Sequence, residues 1–213
     1  MPLCDITLKR KKKIMNREII LATNNKHKLQ EVREILSPKG FIVYGLNDLQ
    51  LKPEEVEENG KTYRENALLK AKSVQKLTEM PIIADDSGLE ILAMNNEPGL
   101  HTARFAEMHG GFDNAFKVIF QNIEGKDRTA KFHCSIVLLN VEDKPLYFDA
   151  EVLGRIAENP YGKGGFGFDP IFVCEEENMT YAEIPQEKKN KVSHRGKALL
   201  KLVTYFRINH LIK

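Results

Sequence analysis

The chain has 213 residues, of which 42% are hydrophobic and 29% charged, so it is long enough to bury the core of one α/β domain. Its formal net charge is +2, but residues 1–16 carry five basic side chains against one acid, which leaves the remainder mildly acidic. A dedicated nucleic-acid-binding protein would spread basic residues over a face of its fold, so we expect no nucleic-acid partner.

The cysteines and the apolar runs indicate the cellular compartment of the protein and whether it associates with a membrane. Cys4, Cys134 and Cys174 are odd in number and lack the spacing of metal ligands, which predicts reduced thiols in a cytoplasmic protein. No apolar run has transmembrane length, and the basic start lacks the apolar segment of a signal peptide, so no membrane association is expected. Residues 1–16 are predicted to form a flexible basic extension, and residues 17–213 a single domain.

The first regular elements are an apolar run at residues 19–22, a polar loop and a segment with helical periodicity. This order directs backbone N–H groups and a helix dipole towards an anion. Lys26 and Lys28 add positive charge, while Asn24 and Asn25 tolerate left-handed turns. The glycines of a Walker A loop are absent, so a first βα turn with exposed lysines is an equally weighted alternative.

A second helix follows a short strand and the acidic stretch 54–58. Thr62 and Glu65 have the spacing of a capping box, which predicts the helix start. Glu58 would then lie close enough to join a cation site. Lys70 lies among alanines on this helix and could reach across a cleft, although most lysines on helices are simply exposed.

The stretch 82–90 is central to the prediction. Its apolar start indicates a short buried strand that runs into Asp85, Asp86, Ser87 and Gly88. In α/β proteins the carboxyl ends of strands open onto the ligand crevice. Because successive strand residues point to opposite faces, we expect the two acids to diverge, one holding a cation and the other a water. The alternative is a strand end whose polar residues cap a turn.

The second half of the chain predicts a β-hairpin from residues 129–141 and 146–156. Residues 161–170 interleave glycines with aromatic residues, a composition that lets a backbone approach a ligand and offers a flat face to a nucleobase. An irregular loop whose phenylalanines pack inward is the alternative. Ser193 fits the N-cap of a C-terminal helix, which would place the next two residues, His194 and Arg195, at a helix start.

Together these stretches resemble the inosine/xanthosine triphosphate pyrophosphatase family, also called the Ham-one or XTP/dITP diphosphatase family. The resemblance runs from about residue 19 to the C-terminal helix. It is carried by residues 22–28, 65–67, 70–71, 84–89, 98–99, 103–104, 132–134, 164–170 and 193–196. The first of these departs from the commoner Thr-Gly-Asn-x-Gly-Lys pattern of the family, because Asn24 and His27 replace its two glycines.

The resemblance implies an α/β fold with a mixed central sheet flanked by helices, two lobes and a nucleotide cleft between them. It also implies a homodimer, a required Mg²⁺ and the hydrolysis of ITP, dITP and XTP to the monophosphate and pyrophosphate. Glu58 and Asp86 would bind the metal, with Asp86 as the proton acceptor. The implied substrate-binding residues are Thr23, Asn24, Asn25, Lys26, His27, Lys28, Ser87, Phe166, Gly167, Phe168, Asp169, Lys189, His194 and Arg195.

The residue types permit metal-assisted attack of water on a phosphoanhydride. Mg²⁺ prefers oxygen ligands, which Glu58 with Asp85 or Asp86 can supply, and Lys70 with the lysines of the first loop would neutralise the triphosphate. Arg195 would favour bases with an O6 acceptor over adenine, although guanine also carries O6. Two alternatives stay open: a Maf-like pyrophosphatase for pyrimidine or modified nucleotides, and a non-enzymatic nucleotide- or RNA-binding protein.

Overall fold

The computed structural model describes residues 17–211, which contain both strands and helices. The predicted extension at residues 1–16 and its cysteine lie outside this range. The elements are β1 (Glu18–Leu21), α1 (Lys26–Leu36), β2 (Ile42–Gly45), α2 (Tyr63–Gln75), β3 (Ile82–Ile91), β4 (Glu97–Pro98), α3 (Thr102–Met108), α4 (Phe112–Asn122), β5 (Thr129–Leu139), β6 (Leu146–Ile156), β7 (Phe172–Cys174), β8 (Met179–Thr180), α5 (Gln186–Val192) and α6 (His194–Ile208).

The strands form one mixed sheet in the order β2-β1-β3-β5-β6-β7-β8, with β4 paired to β3. Strand β1 runs parallel to β2 and β3, whereas the other pairs are antiparallel. The predicted mixed sheet with flanking helices is therefore confirmed, as is the hairpin of β5 and β6. The division into two lobes stays a prediction. Within residues 17–211, no helix is both long and apolar enough to cross a membrane.

Strand β3 is longer than the sequence predicts, and the expectation that it ends before the two acids is wrong. It pairs with β1 only at Ile82 and Ile83, but with β5 along all ten of its residues. The ladder to β5 keeps the backbone extended through Gly88, where a Cβ would lie 2.1 Å from the carbonyl oxygen of Gly99. The acids consequently lie in mid-strand, just past the point where β1 ends and leaves the cleft open.

Alternation along the strands buries both faces of the sheet. Ile19, Leu21 and Ile83 pack in the same apolar cluster as α1 and α6, while Ile20 and Ile82 pack with α2 on the other face. In α6, three large apolar side chains are fully buried, and each such side chain stabilises the fold by about 1.5–3 kcal/mol. These residues are Leu199, Leu202 and Phe206. Their packing fixes the start of α6 beside the cleft.

Two predicted helix starts are confirmed. The Thr62 hydroxyl accepts a hydrogen bond from the Glu65 N–H at 3.2 Å, and the Ser193 hydroxyl accepts one from the Gly196 N–H at 3.1 Å. Each cap stabilises its helix by about 1 kcal/mol. The second cap also sets the register of the two residues that follow it, His194 and Arg195, at the first turn of α6.

Candidate active site

A cleft of about 990 Å³ opens beyond the end of β1. Most of the predicted site residues line it, although they come from seven separate parts of the chain. The predicted residues in its lining are Thr23, Asn24, Asn25, Lys28, Glu58, Lys70, Asp86, Ser87, Phe166, Gly167, Phe168, Asp169, Lys189, His194 and Arg195. Lys26, His27 and Asp85 are not part of that lining.

The two central acids diverge, as predicted from strand geometry. The Asp85 carboxylate accepts hydrogen bonds from Arg195 Nε at 3.1 Å and Nη2 at 2.9 Å, and its Oδ2 lies 3.1 Å from Lys28 Nζ. Burial disfavours its charge, but Lys28 and Arg195 outweigh burial and hold the pKa of Asp85 well below its usual range. Asp85 is therefore a buried anion beneath the cleft, and we do not retain it among the proposed metal ligands.

The other acid, Asp86, belongs to a second group of charges. Lys70 Nζ lies 3.0 Å from Asp86 Oδ1 and 3.0 Å from Glu58 Oε2, so one ammonium bridges two carboxylates. Asn66 Nδ2 donates to Asp86 Oδ2 at 3.2 Å, while the Asn66 carbonyl accepts from the Gly60 N–H at 2.8 Å. The sequence analysis missed Asn66, whose position one turn before Lys70 on α2 is the signal that could have identified it.

The two carboxyls of this group differ in pKa. Burial and the charge of Glu58 raise the pKa of Asp86, against the opposing effect of Lys70 and Lys28. Burial also disfavours the charge of Glu58, but Lys70 outweighs it and lowers the pKa of Glu58. A raised pKa makes a carboxylate a better proton acceptor near neutral pH, so Asp86 has the properties of the base in this pair.

The wall of the cleft contains a buried ion network that no motif in the sequence predicted. Its centre is Glu31 on α1, which accepts hydrogen bonds from Arg195 Nη1 and from Lys189 Nζ, the latter at 2.7 Å. Lys189 Nζ also donates to Asp169 Oδ2 at 2.6 Å, and the same oxygen accepts from the Phe166 N–H at 2.7 Å. The network thus connects α1, α5 and α6 to residues 161–170, which we call the glycine–aromatic loop.

Glu31 escaped notice because a glutamate on a helix is usually solvated. The available signal was its position: it lies one turn from Lys28 and one turn from the buried Ile35, and so shares their face of α1. Burial disfavours its charge, but Arg195 and Lys189 outweigh burial and lower its pKa below the usual value. Glu31 is consequently ionised and holds both cations in place.

The aromatic residues near the cleft are arranged differently from the prediction. His27, predicted to bind phosphate, stacks on Phe166 with ring centroids 5.1 Å apart and planes 13° apart. Lys189 Nζ lies 5.1 Å and Arg195 Cζ 5.8 Å from the centroid of Phe166. Phe168 is only 2% exposed and packs in the core, as the inward-packing alternative expects. Phe166 is therefore the aromatic of this loop that is placed among polar groups.

His194 lies at the cleft wall with its ring stacked on Phe132, the centroids 4.5 Å apart and the planes 8° apart. Burial, reinforced by the nearby charges of Arg195 and Lys189, lowers its pKa well below the usual value. The imidazole is therefore neutral at physiological pH. In that state one ring nitrogen can donate a hydrogen bond and the other can accept one.

In the first loop, residues 23–28, backbone N–H groups donate to side chains of the same loop. Asn25 caps α1, its Oδ1 accepting from the N–H groups of His27 at 2.9 Å and Lys28 at 3.1 Å. The Asn25 N–H in turn donates to Thr23 Oγ1 at 3.1 Å. A phosphate that binds these N–H groups must therefore displace the Asn25 side chain, since the donors are already occupied.

Arg104 on α3 is a further cation at the cleft to which the sequence analysis gave no role. Its Nη2 donates to the backbone carbonyl of Glu58. Lys28, Lys70 and Arg195 each contact carboxylates, whereas the hydrogen bond found for Arg104 goes to a carbonyl, which leaves its charge uncompensated there. The exposed guanidinium is thus positioned to meet an anionic ligand.

The donor set of the cleft fits Mg²⁺. No group of three or more His, Cys, Asp or Glu side chains in residues 17–211 is arranged to hold a metal. The two carboxylates of Glu58 and Asp86, however, already surround one cation, the ammonium of Lys70. Mg²⁺ is commonly held by one or two carboxylates plus phosphate oxygens and waters, so a site completed by substrate needs no further protein ligand.

Comparisons with known proteins show which family the sequence resembles. The family model described as "Ham1 family" matches residues 19–205. The chain is 41% identical to a dITP/XTP pyrophosphatase of Bacillus subtilis over 192 residues, which is 89% of this chain and 96% of that relative. It is 43% identical to the dITP/XTP pyrophosphatase of Halalkalibacterium halodurans over 189 residues, covering 87% and 97% of the two chains.

Solved structures are similar as well. The Ham1 protein of Staphylococcus aureus superposes with a TM-score of 0.78 at 34% identity, covering 90% of this chain and 99% of that one. A HAM1 protein from Coxiella burnetii gives a TM-score of 0.78 at 37% identity, covering 89% and 98%. The fold and the sequence therefore lead to the same relatives.

Proposed function

The chain belongs to the Ham1 family, and from this premise we propose that it hydrolyses the non-canonical purine nucleoside triphosphates ITP, dITP and XTP to the monophosphate and pyrophosphate, which clears them from the nucleotide pool. The relatives named dITP/XTP pyrophosphatase support the reaction class and the base class. The observation that carries the proposal is the convergence of the Glu58–Lys70–Asp86 group and the Phe166–Arg195 contact on one cleft large enough for a nucleotide.

Charge supports a Mg²⁺ requirement. Eight acidic and six basic side chains line the cleft, so the lining does not by itself favour a triphosphate. A divalent cation that enters with the substrate would change this balance. We propose that Glu58 and Asp86 hold it; when bound, Mg²⁺ supplies Lewis-acid stabilisation of the phosphoryl oxygens.

The side chains divide the remaining work. Asp86 accepts the proton of the attacking water, because it lines the cleft and Asn66 fixes one of its oxygens. Lys70 keeps its charge, since Asp86, Asp85 and Glu58 outweigh its burial and raise its pKa. Together with Arg104, it would neutralise the charge that develops on the departing pyrophosphate.

Base selection is proposed for the other end of the cleft. Arg195 uses its Nε, one Nη1 and both Nη2 donors on Asp85, Glu31 and Ser87, which leaves one Nη1 hydrogen among the described hydrogen bonds. That donor can meet the O6 acceptor of hypoxanthine or xanthine but has no partner on the amino group of adenine. A base stacked on Phe166 would add binding energy that does not distinguish purines from each other.

The test is a pyrophosphate-release assay over the eight common nucleoside triphosphates plus ITP, dITP and XTP, with and without Mg²⁺. We expect ITP, dITP and XTP to release pyrophosphate, and to do so only when Mg²⁺ is present. Each pyrophosphate released should be accompanied by one equivalent of nucleoside monophosphate. Preferred cleavage of pyrimidine triphosphates would establish the Maf-like alternative instead. Nucleotide or RNA binding without any pyrophosphate release would establish the non-enzymatic one.

The homodimer and the cytoplasmic location remain proposals that come from the family resemblance and from the reduced-thiol interpretation. In the described part of the chain, Cys134 and Cys174 are free and buried, which agrees with that interpretation. Sedimentation equilibrium of the purified full chain measures its mass in solution and so tests the homodimer. A mass corresponding to one chain at micromolar concentration would overturn it.

A further inference from the structure

Phe112, the first residue of α4, is a large apolar side chain whose exposure the packing of the fold does not explain. The residue is 42% exposed, and it lines the cleft. Three apolar residues of α4 face the core, Ala115, Phe116 and Ile119, while Val118 and Phe120 are half-buried. A phenylalanine that stays partly exposed at the edge of a polar cleft lacks part of the stabilisation that burial of its apolar surface would give.

The neighbours of Phe112 belong to the glycine–aromatic loop. Its ring meets Phe168 edge to face, with centroids 5.3 Å apart and planes at 84°. A Cβ on Gly167 would lie 3.8 Å from the Phe112 ring, so the backbone of Gly167 runs beside that ring. Phe112 therefore covers the buried Phe168, which lies two residues after Phe166 in the loop. The exposed part of Phe112 faces the cleft.

We propose that Phe112 is a nucleobase-contacting residue, which forms an apolar wall beside the loop 166–169 and favours purine over pyrimidine bases. This inference rests on the proposed function, since it assigns part of the same cleft to the base. A purine offers two fused rings to a flat apolar surface and buries more area there than a pyrimidine does. Because the ring has no polar atom, it cannot distinguish hypoxanthine from adenine.

The test compares Phe112→Ala with Phe112→Tyr, which keeps the ring, and with Met108→Ala as a control. Met108 is 82% exposed, close to the same helix start, and does not line the cleft. Loss of the aromatic surface should raise KM for ITP about tenfold and leave kcat within about twofold. KM for UTP should rise less, so the preference for purines should fall while the ratio of ITP to ATP stays constant.

We expect Met108→Ala to keep the wild-type KM and Phe112→Tyr to raise KM less than Phe112→Ala does, and thermal unfolding of all variants verifies that they fold. An unchanged KM in Phe112→Ala, or an equal rise with Met108→Ala, would overturn the assignment. Calorimetric titration with inosine monophosphate separates this result from the proposed function. If no triphosphate is hydrolysed, weaker monophosphate binding by Phe112→Ala still supports the contact, whereas equal binding, or none by any variant, overturns it.

Discussion

Two groups of charges use the same residue types for different purposes. In the Glu58–Lys70–Asp86 group, Glu58 is 37% exposed, and the ammonium between the carboxylates is reachable from the cleft. In the network of Glu31, Lys189 and Arg195, every side chain is nearly inaccessible, and each cation contacts two carboxylates. The first group is placed to exchange partners with a ligand, whereas the second is saturated by the protein apart from one Nη1 hydrogen of Arg195 among the described hydrogen bonds.

The difference leads to opposite expectations for mutation. Removing one partner from a buried ion network leaves an uncompensated charge, which costs about 3–5 kcal/mol of stability. In the Glu58–Lys70–Asp86 group, Asp86 is itself only 8% exposed, but the more exposed Glu58 stays paired with Lys70 when Asp86 loses its charge, so the loss of stability should be smaller. We therefore expect the open group to determine turnover and the saturated network to determine stability and the position of the loop 166–169.

The largest effect is expected for Asp86→Asn. The substitution keeps the shape of the side chain but removes the proton acceptor, so turnover of ITP should fall by a factor of about 10²–10⁴. The thermal midpoint should change little. Asp149→Asn is a matched control on β6, outside the cleft lining, where Asp149 contacts Arg64 and Ser135. Near-normal turnover in Asp86→Asn would remove that residue from the proposed role.

A loss of stability of about 3–5 kcal/mol is expected for Glu31→Gln, because Lys189 and Arg195 would share fewer negative partners in the interior. Urea unfolding followed by circular dichroism measures it. Glu187→Gln is the control, since its ion pair with Lys191 lies on the surface, and its unfolding midpoint should match wild type. Equal midpoints for all three proteins would show that the network does not stabilise the fold.

A smaller change is expected for Arg104→Gln. Losing a cation that faces the leaving group should lower kcat by about 10- to 100-fold, below the usual loss for a donor dedicated to the transition state, because Lys70 remains. Arg104→Lys should recover part of the rate. If instead only KM rises, Arg104 binds the ground state and not the developing charge.

The smallest effect is a pH dependence of stability. The pKa of Glu31 in the folded protein is lower than its usual value of 4.5. Its contribution is therefore complete above about pH 4.5 and is lost as the pH falls through the folded value. The difference in unfolding free energy between wild type and Glu31→Gln should be constant from pH 6 to 8 and narrow below pH 4.5. If the difference in unfolding free energy between the two proteins instead increased below pH 4.5, the expected direction of the pH dependence would be contradicted.

Local features of the site were predictable, whereas tertiary ones were not. The caps at Thr62 and Ser193 depend on residues three positions apart, and the divergence of Asp85 and Asp86 follows from strand geometry. The full length of β3 depends on its ladder with β5, whose residues lie about fifty positions away. Glu31 and Phe112 are likewise defined by partners on distant elements: helical spacing places Glu31 on the buried face of α1, but it does not identify Lys189 and Arg195 as its partners.

The most direct test of the nucleotide cleft is the ratio of kcat/KM for ITP to that for ATP, measured with the wild-type chain and saturating Mg²⁺. We expect ITP to be preferred by at least about tenfold, because only its base offers an O6 acceptor to Arg195. Equal efficiencies for ITP and ATP would contradict the assignment of this cleft to non-canonical purine nucleotides.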